Sequence, residues 1–378
     1  MYISILTNTA CNLNCTYCYQ KNKKIFKPNV NKICQFIDLK MNEYIIGEDI
    51  DFNLIGGETL LYINEIEKII NHIWNICNKL NILNKLNITL NTNGTLIYKN
   101  NSIKNLLLKY KNNFKKLGIS IDGPKEIHDL NRKYLNGKGS YEDIIKSIEW
   151  LKENDFKNLA LLTAITNDNL NNFFNVFKFL YEKFKIQIHS CSIYQKIWTE
   201  KESIIFLKEL IKIIDYIYDN DLEYKDKILR YQIFINDKQL LNNFGYEFNN
   251  EHKISCGYCL TNFSSCVDSD GKIYSCQKYL SSGIKKDMST GYIDNNKIVI
   301  NKNETIKELN NLINFFPEEC NTCDLFNTCH QCNIIIYETD ENDPTKYLNK
   351  KGLCLFNYAT NIAHYYQKIK HITKYGNF

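Results

Sequence analysis

Proline and glycine are scarce in this chain of 378 residues, which has 4 and 15 of them, and long apolar runs are absent. No apolar stretch is long enough to span a bilayer, and the N-terminus lacks the basic and apolar regions of a secretory signal. The net charge of +5 is spread along the sequence without a basic block, which argues against nucleic-acid binding. We therefore expect a cytoplasmic protein that binds neither membranes nor nucleic acids.

Cysteine, in contrast, is abundant, with 15 residues. An odd number of cysteines without a secretory signal argues against a disulfide framework. Three of them lie within residues 11–18 and nine follow residue 255, while Cys34, Cys77 and Cys191 stand apart. Clustered cysteines in a reducing compartment hold metal or carry out chemistry, so the distribution predicts metal sites near both ends of the chain.

Strand-like and helix-like segments alternate over the first half of the sequence. Branched and apolar residues predict strands at Tyr2–Thr7, Ile50–Ile55, Asn87–Asn91, Lys116–Ile121, Leu159–Ile165 and Ile186–Cys191. Helices are predicted near 30–46, 62–80, 101–113, 140–154 and 169–184. This order predicts an α/β fold, a partial (β/α)6 TIM-like barrel, in which the loops after the strands build the active site.

The composition of the sequence changes after residue 250 to cysteine pairs and short strand-like segments, and this change predicts the domain organisation. We assign residues 1–199 to the barrel, 200–250 to a polar helical connector and 251–378 to a cysteine-rich domain. The last of these contains a predicted hairpin turn at Asp268–Gly271. It ends in a predicted helix over 355–371 that packs back onto the body.

Three N-terminal cysteines, Cys11, Cys15 and Cys18, have the spacing CxxxCxxC. Iron–sulfur clusters are held by closely spaced cysteine thiolates, usually four per cluster. Three ligands leave one iron open for a substrate, just as catalytic zinc sites keep an open position. The alternative is a zinc site that takes its fourth ligand from elsewhere in the chain.

With the aromatic Tyr17 before its last cysteine, this motif resembles the hallmark of the radical S-adenosylmethionine (SAM) superfamily. The resemblance implies that SAM chelates the open iron through its amino and carboxylate groups. An electron from the cluster then breaks the sulfonium bond, and the resulting 5′-deoxyadenosyl radical abstracts a hydrogen from the substrate. A flavodoxin or ferredoxin-type protein is the implied electron donor.

Three further motifs resemble the same family and fall at or just past the ends of predicted strands. Gly56-Gly57-Glu58 resembles the GGE motif, with Thr59 where proline is frequent, and Asn91–Thr95 resembles QTNG with asparagine in place of glutamine. Ser120–Pro124, followed by His128 and Arg132, resembles the fourth-strand region of peptide- and protein-modifying members. The resemblance implies SAM contacts at Tyr17, Gly56, Gly57, Glu58, Thr59, Asn93, Ser120, Asp122, Arg132, Thr166 and Asn169.

The C-terminal cysteines resemble the SPASM extension of radical SAM enzymes, which carries two auxiliary iron–sulfur clusters. Carried over by position, one cluster is held by Cys256, Cys259, Cys276 and Cys332, and the other by Cys320, Cys323, Cys329 and Cys354. The resemblance thus implies SAM and three 4Fe–4S clusters as cofactors. Only two residues separate Cys329 from Cys332, where the family usually has three, and Cys266 is left over as a core thiol. Two zinc ribbons are the alternative.

The family resemblance predicts a maturase of ribosomally synthesised peptides that forms a cysteine thioether cross-link. Sulfatase maturation to formylglycine is the runner-up, because those enzymes have an acidic base directly after the hairpin cysteine and this chain has the neutral Gln277. A carbon–carbon or carbon–oxygen cross-link remains open. From a different class, the chain could be a non-catalytic electron-transfer or zinc-binding protein.

The remaining predictions concern the catalytic base and the partners. Tyr274, His189 and Asp268 are candidates for the acid or base, and His189 would line the barrel with Gln187 and Cys191 on one strand face. The first cysteine lies only ten residues from the start, so no leader-binding domain is expected before the barrel. We expect a separate leader-binding protein, or the surface of the barrel itself, to bind the precursor peptide's leader.

Overall fold

The computed structural model describes residues 1–18, 20, 23, 27–193, 198–222, 266–276, 287–301, 322–323 and 344–375, the last range with side chains from residue 354. The described strands are β1 (Tyr2–Leu6), β2 (Ile50–Ile55), β3 (Leu86–Thr92), β4 (Phe114–Ser120), β5 (Leu159–Ile165), β6 (Gln187–Ser192), β7 (Cys266–Val267), β8 (Lys272–Tyr274), β9 (Gly291–Asp294) and β10 (Lys297–Ile300).

The described α-helices are α1 (Val30–Met41), α2 (Ile63–Lys79), α3 (Asn101–Lys109), α4 (Lys125–Asn131), α5 (Tyr141–Glu153), α6 (Asn167–Leu170), α7 (Phe173–Phe184), α8 (Glu200–Asp219) and α9 (Pro344–Tyr375). Short 3-10 helices occupy Thr59–Tyr62, Leu83–Lys85 and Lys111–Asn113. The predicted α/β fold class with its parallel sheet is confirmed. Within the described ranges, no helix is both long and apolar enough to cross a membrane.

The chain divides into two compact units, and the predicted domain boundaries stay a prediction beside them. Unit 1 comprises residues 1–121, 131–160 and 258–314, as far as these are described. Unit 2 comprises the described residues of 122–130, 161–257 and 315–378. Each unit is built around its own set of strands and helices.

In unit 1, strands β1 to β4 are parallel neighbours, and their alternating side chains give the sheet one apolar and one polar face. The apolar face is fully buried, as are the inward stripes of helices α1, α2 and α3. Because each crossover helix must cover apolar sheet surface, these helices lie on that face. The opposite face carries the polar side chains Ser4, Asn53, Thr89 and Lys116, which follow one another across the four strands.

An antiparallel extension continues this sheet past its first strand. β7 pairs in parallel with β1, and β8, β9 and β10 follow as antiparallel neighbours. The turn predicted at Asp268–Gly271 joins β7 to β8, where Gly271 has a φ of 85° that favours glycine. The cysteine-rich part of the sequence thereby reaches the first strand of the parallel sheet.

In unit 2, helix α8 packs against α7 and α9 through an amphipathic face that buries Phe206 and Ile214. A capping box between Thr199 and Glu202 starts α8. The ring of Phe356 on α9 lies 4.7 Å from that of Phe206, so aromatic contacts join these two helices.

Candidate active site

Three loops meet where the first three parallel strands of unit 1 end. The cysteine loop (residues 7–18) follows β1, the GGE loop (Gly56–Thr59) follows β2 and the Asn93 loop (Thr92–Thr95) follows β3. The carboxyl ends of parallel strands are where α/β folds place ligands. The three motifs predicted to share a site therefore lie in neighbouring loops.

The cysteine loop presents three half-buried thiols, those of Cys11, Cys15 and Cys18. The Leu13 amide donates to Cys11 Sγ at 3.3 Å, and Asn93 Nδ2 lies 3.7 Å from the same sulfur. Burial, with the nearby Glu58 carboxylate as the second cause, raises the pKa of the Cys11 thiol to about 11. Metal binding overcomes such a shift because a coordinating thiol loses its proton.

The backbone of the cysteine loop and that of the GGE loop lie in direct contact. Gly57 N donates to Asn8 O at 2.9 Å, and Glu58 N donates to Ala10 O at 2.8 Å. A Cβ atom on Gly57 would lie 2.5 Å from the carbonyl oxygen of Thr9, which is closer than real Cβ atoms approach other atoms. Glycine is therefore required for this close approach of two backbones.

Glu58 ties the GGE loop to the Asn93 loop. Its carboxylate accepts hydrogen bonds from Leu60 N at 3.0 Å, from Thr92 Oγ1 at 2.6 Å and from Asn93 N at 2.7 Å. The side chain is fully buried, and this burial raises the pKa of the Glu58 carboxyl while the three donors lower it. Thr59 adds a bond from its hydroxyl to Asn91 O at 2.8 Å. Glu58 thus positions two loops, and its predicted contact with the SAM amino group stays a prediction.

A network of side-chain hydrogen bonds joins the Asn93 loop to the cysteine loop. Asn93 Nδ2 donates to Asn12 Oδ1 at 2.9 Å, and Asn12 Nδ2 donates to Thr95 Oγ1 at 2.8 Å. Asn93 Oδ1 in turn accepts from the amide and the hydroxyl of Thr95. Each of the three loops is consequently held by the other two.

The segment Asn131–Tyr134 supports the cysteine loop from the other side. Asn14 N donates to Lys133 O at 2.7 Å and Thr16 N to Asn131 O at 3.0 Å. The guanidinium carbon of Arg132 lies 5.4 Å from the centre of the Tyr17 ring, a cation–π contact. The structure therefore brings these two predicted SAM contacts together, beside the cysteines. Ser120 is half-buried at the end of β4.

In unit 2, the predicted contacts Asp122, Thr166 and Asn169 surround the end of β5. Asp122 Oδ1 accepts from Ala164 N at 2.9 Å, and Asn169 Nδ2 donates to Ala164 O at 2.8 Å. Thr166 and Asn169 form a capping box at the start of α6. His128 Nδ1 accepts from Asp122 N at 3.2 Å. All these groups hold the loop in place, and their contacts with SAM stay predictions.

The candidates for the catalytic base are divided between the two units. Tyr274 Oη is 3.5 Å from Asp268 Oδ2 in unit 1, while His189 lies half-buried on β6 in unit 2. Burial and the Asp268 carboxylate raise the pKa of Tyr274, and burial raises that of Asp268. Asp268 Oδ1 also accepts hydrogen bonds from two backbone amides of its own turn, so a structural role in that turn is enough to explain an aspartate at this position.

Some of the auxiliary cysteines fall within the described residues. Cys276 is half-buried beyond β8, Cys323 Sγ lies 3.2 Å from Tyr358 Oη, and Cys354 is half-buried on α9. Cys266, the predicted core thiol, is fully buried on β7. The remaining predicted ligands and Gln277 lie outside the described residues: Cys256, Cys259, Cys320, Cys329 and Cys332.

Among the described side chains, no group of three or more His, Cys, Asp or Glu converges on a single metal ion. The thiolates of a four-iron cluster bind separate irons and need no such convergence. The cysteine loop fits such a cluster because it offers three thiols with N–H donors to one sulfur. Asn8 lies beside Gly56, and its Oδ1 atom is buried without a hydrogen-bond partner, so the adjoining loops hold an unsatisfied acceptor of the kind that an amino group requires.

Several residues that hold the site were not predicted from the sequence. Asn8, Asn12 and Thr92 bridge loops that are far apart in the chain, as does the segment Asn131–Tyr134. Asn12 lies inside the cysteine motif, and Thr92 is the residue before Asn93. For Asn12 and Thr92, the position within a recognised motif was the only available signal.

Comparison with known proteins agrees with this arrangement. Residues 5–180 match the family model of the radical SAM superfamily. An uncharacterized protein of Methanocaldococcus jannaschii is 34% identical over 45% of this chain, which spans 54% of that protein's length. The cysteine-type anaerobic sulfatase-maturating enzyme of Clostridium perfringens is 27% identical over 85% of both chains.

One solved structure is similar over nearly the whole chain. It is native anSMEcpe with bound AdoMet and Kp18Cys peptide, at a TM-score of 0.69 and 24% identity, covering 95% of this chain and 99% of that one. At this identity the likeness shows the fold. The family match and the relatives show that residues 5–180 form a radical SAM domain and that the chain is similar to enzymes of this superfamily.

Proposed function

We propose that this radical SAM enzyme is a maturase that modifies a ribosomally synthesised peptide at a cysteine, forming a thioether cross-link. The observation that carries the proposal is the mutual bonding of the cysteine, GGE and Asn93 loops around three thiols. Cys11, Cys15 and Cys18 would hold a 4Fe–4S cluster. When bound, the cluster and SAM supply a 5′-deoxyadenosyl radical that takes a hydrogen atom from the substrate.

The chain's own residues would bind and orient SAM at the three loops. Gly56 and Gly57 keep the backbone close, and Asn8 Oδ1 offers an acceptor for an ammonium group. Arg132, held over Tyr17, offers a guanidinium fork suited to a carboxylate. Glu58 and Asn93 hold these loops together through their hydrogen bonds.

The C-terminal cysteines would hold two auxiliary clusters, with the ligand sets predicted from the family pattern. Such a cluster would supply an iron to which a thiolate of the substrate could bind. A flavodoxin or ferredoxin-type donor would supply electrons, and a separate leader-binding protein would bring the precursor peptide. The bound peptide named for anSMEcpe supports a peptide or protein as the substrate class.

Sulfatase maturation is the second candidate, because the sulfatase-maturating relative is similar over 85% of both chains. Those enzymes have an acidic base after the hairpin cysteine, and the neutral Gln277 at this position favours the thioether. A carbon–carbon or carbon–oxygen cross-link is the remaining alternative.

Mass spectrometry of the product distinguishes these reactions. We expect that a short cysteine-containing peptide encoded beside this gene, incubated with the reduced enzyme and SAM, loses two hydrogen atoms and its reactive thiol. A peptide whose cysteine is converted to formylglycine would instead lose the sulfur atom, and its new aldehyde would react with hydrazides. A serine version of the peptide is the control and should stay unmodified by thioether formation.

Conversion of the serine peptide as well, or a product that keeps its free thiol, would contradict a thioether. Absence of any SAM cleavage under reductant would contradict the whole proposal. That outcome would favour the non-catalytic electron-transfer or zinc-binding alternative.

A further inference from the structure

Strand β4 contains a β-bulge next to the polar face of the parallel sheet. Ile88 on β3 pairs with Phe114, but the next residue, Thr89, pairs with Lys116. Lys115 is therefore the extra residue, and the bulge aims Lys116 at the polar face beside Thr89. Bulges that re-aim a side chain are frequent near active sites.

The two lysines of the bulge differ in their surroundings. Lys115 is exposed, and its ammonium lies 2.9 Å from Asp51 Oδ1. Lys116 is half-buried, and no hydrogen bond or ion pair joins it to another residue of the described chain. Burial lowers the pKa of Lys116, because among the described residues no carboxylate is close enough to offset the loss of hydration.

A second unpartnered group lies on the same face. Asn91 follows Thr89 by two residues, and its Oδ1 atom is buried without a hydrogen-bond partner. Gly118 is directly opposite Asn91 and two residues beyond Lys116, so no side chain fills the position next to both. The face thus offers a cationic donor at Lys116 and a neutral acceptor at Asn91, with the side-chain-free Gly118 beside both.

Such groups are costly to bury unless a ligand satisfies them. The ammonium requires an anion, and a single positive charge matches a carboxylate better than a doubly charged phosphate. The amide oxygen requires a donor, which the N–H of a peptide bond supplies. One acidic residue of a peptide carries both groups.

We propose that Lys116 binds the side-chain carboxylate of an aspartate or glutamate in the peptide substrate, while Asn91 Oδ1 accepts a peptide N–H. This inference rests on the proposed peptide substrate. Lys116 thereby becomes a specificity-determining residue, and acidic peptides the substrate class. Both residues lie within strands β3 and β4, before the loops that carry the predicted SAM contacts.

Capture of peptides by the reconstituted whole chain in the presence of SAM tests this assignment. The probes are short synthetic cysteine-containing peptides that differ at one position, carrying Asp or Glu, Asn or Gln, or Lys or Arg. We expect the wild-type protein to retain acidic peptides about tenfold better than their amide counterparts, as for hydrogen bonds to charged groups. Lys116→Gln should remove this preference, Lys116→Arg should keep it, and Lys116→Glu should shift it to the basic peptides.

Lys115→Gln is the matched control, because it removes a charge from the same bulge, and it should keep the acidic preference. Equal retention of acidic and amide peptides by the wild type would overturn the inference, as would a Lys115→Gln effect equal to that of Lys116→Gln. SAM cleavage by the wild-type preparation is measured alongside. Cleavage without acidic preference overturns only this inference, whereas absent cleavage overturns the proposed function. If Lys116→Glu does not fold, the Gln and Arg variants decide.

Discussion

The Cys15→Ala variant is expected to lose SAM cleavage, with 5′-deoxyadenosine falling to background. Cys15 is the middle thiol of the cysteine loop, and a cluster with an open iron has only three protein ligands. Removal of one leaves two, which is too few to retain the cluster. Iron per chain should fall by about four atoms from roughly twelve, if all three predicted clusters are present. Chromatography of the nucleoside product and iron analysis give the two readouts.

Cys34→Ala is the control for this experiment. Cys34 is half-buried on α1 and is not part of the cysteine loop, so its replacement should leave both readouts at the wild-type level. Retention of SAM cleavage by Cys15→Ala would contradict the assignment of the cluster to this loop. An equal loss in Cys34→Ala would indicate a general defect of folding.

The Glu58→Ala variant is expected to lower the free energy of unfolding by roughly 3 kcal/mol and to weaken SAM binding. Three buried donors, Leu60 N, Thr92 Oγ1 and Asn93 N, lose their acceptor in this variant. Each unsatisfied buried group costs about 1–3 kcal/mol, and local relaxation recovers part of the total. Urea denaturation of the apoprotein measures the first effect, and SAM titration of the reconstituted enzyme measures the second.

Glu58→Gln separates the role of the carboxylate in positioning from a charge contact with SAM. Glutamine keeps one acceptor oxygen, so a purely positioning role predicts an intermediate loss of stability. Glu153→Ala, an exposed glutamate at the end of α5, should change neither stability nor SAM binding. Wild-type stability of Glu58→Ala would show that the three hydrogen bonds do not hold the loops together.

The strands and the motifs at their ends were predictable because the signals are local. β2 and β5 have the bounds that the runs of branched residues predict, and β6 is shifted by one residue. Helix α1 ends at Met41 rather than near residue 46. Asn42 caps it, and the Asn42 N–H donates back to carbonyl oxygens of the helix. The single helix predicted over 169–184 is instead two helices, α6 and α7. The capping box of Thr166 and Asn169 begins the short helix α6 before α7 starts.

The contacts that assemble the site were not predictable from the same signals. Asn12 meets Thr95, and Thr16 meets Asn131, across more than eighty residues of chain. No periodicity in the sequence encodes such pairs. The bulge at Lys115 was not predictable either, because two consecutive lysines at the start of a strand are typical of a solvent-exposed strand end. Register decided which of the two lysines faces the polar side of the sheet.

The pairing of β7 with β1 is a further long-range feature. Cysteine spacing indicated a second domain after residue 250, yet the hairpin of β7 and β8 extends the sheet of the first strands. A strand of two residues, such as Cys266–Val267, has too little pattern to predict its partner.

Electron paramagnetic resonance of the reduced whole protein tests most directly whether SAM binds a cluster held by the cysteine loop. Addition of SAM should change the signal of one cluster in the wild type, because SAM becomes a ligand of its open iron. Cys15→Ala should lack both that signal and the response. A wild-type spectrum unchanged by SAM, or a response that survives in Cys15→Ala, would contradict the account.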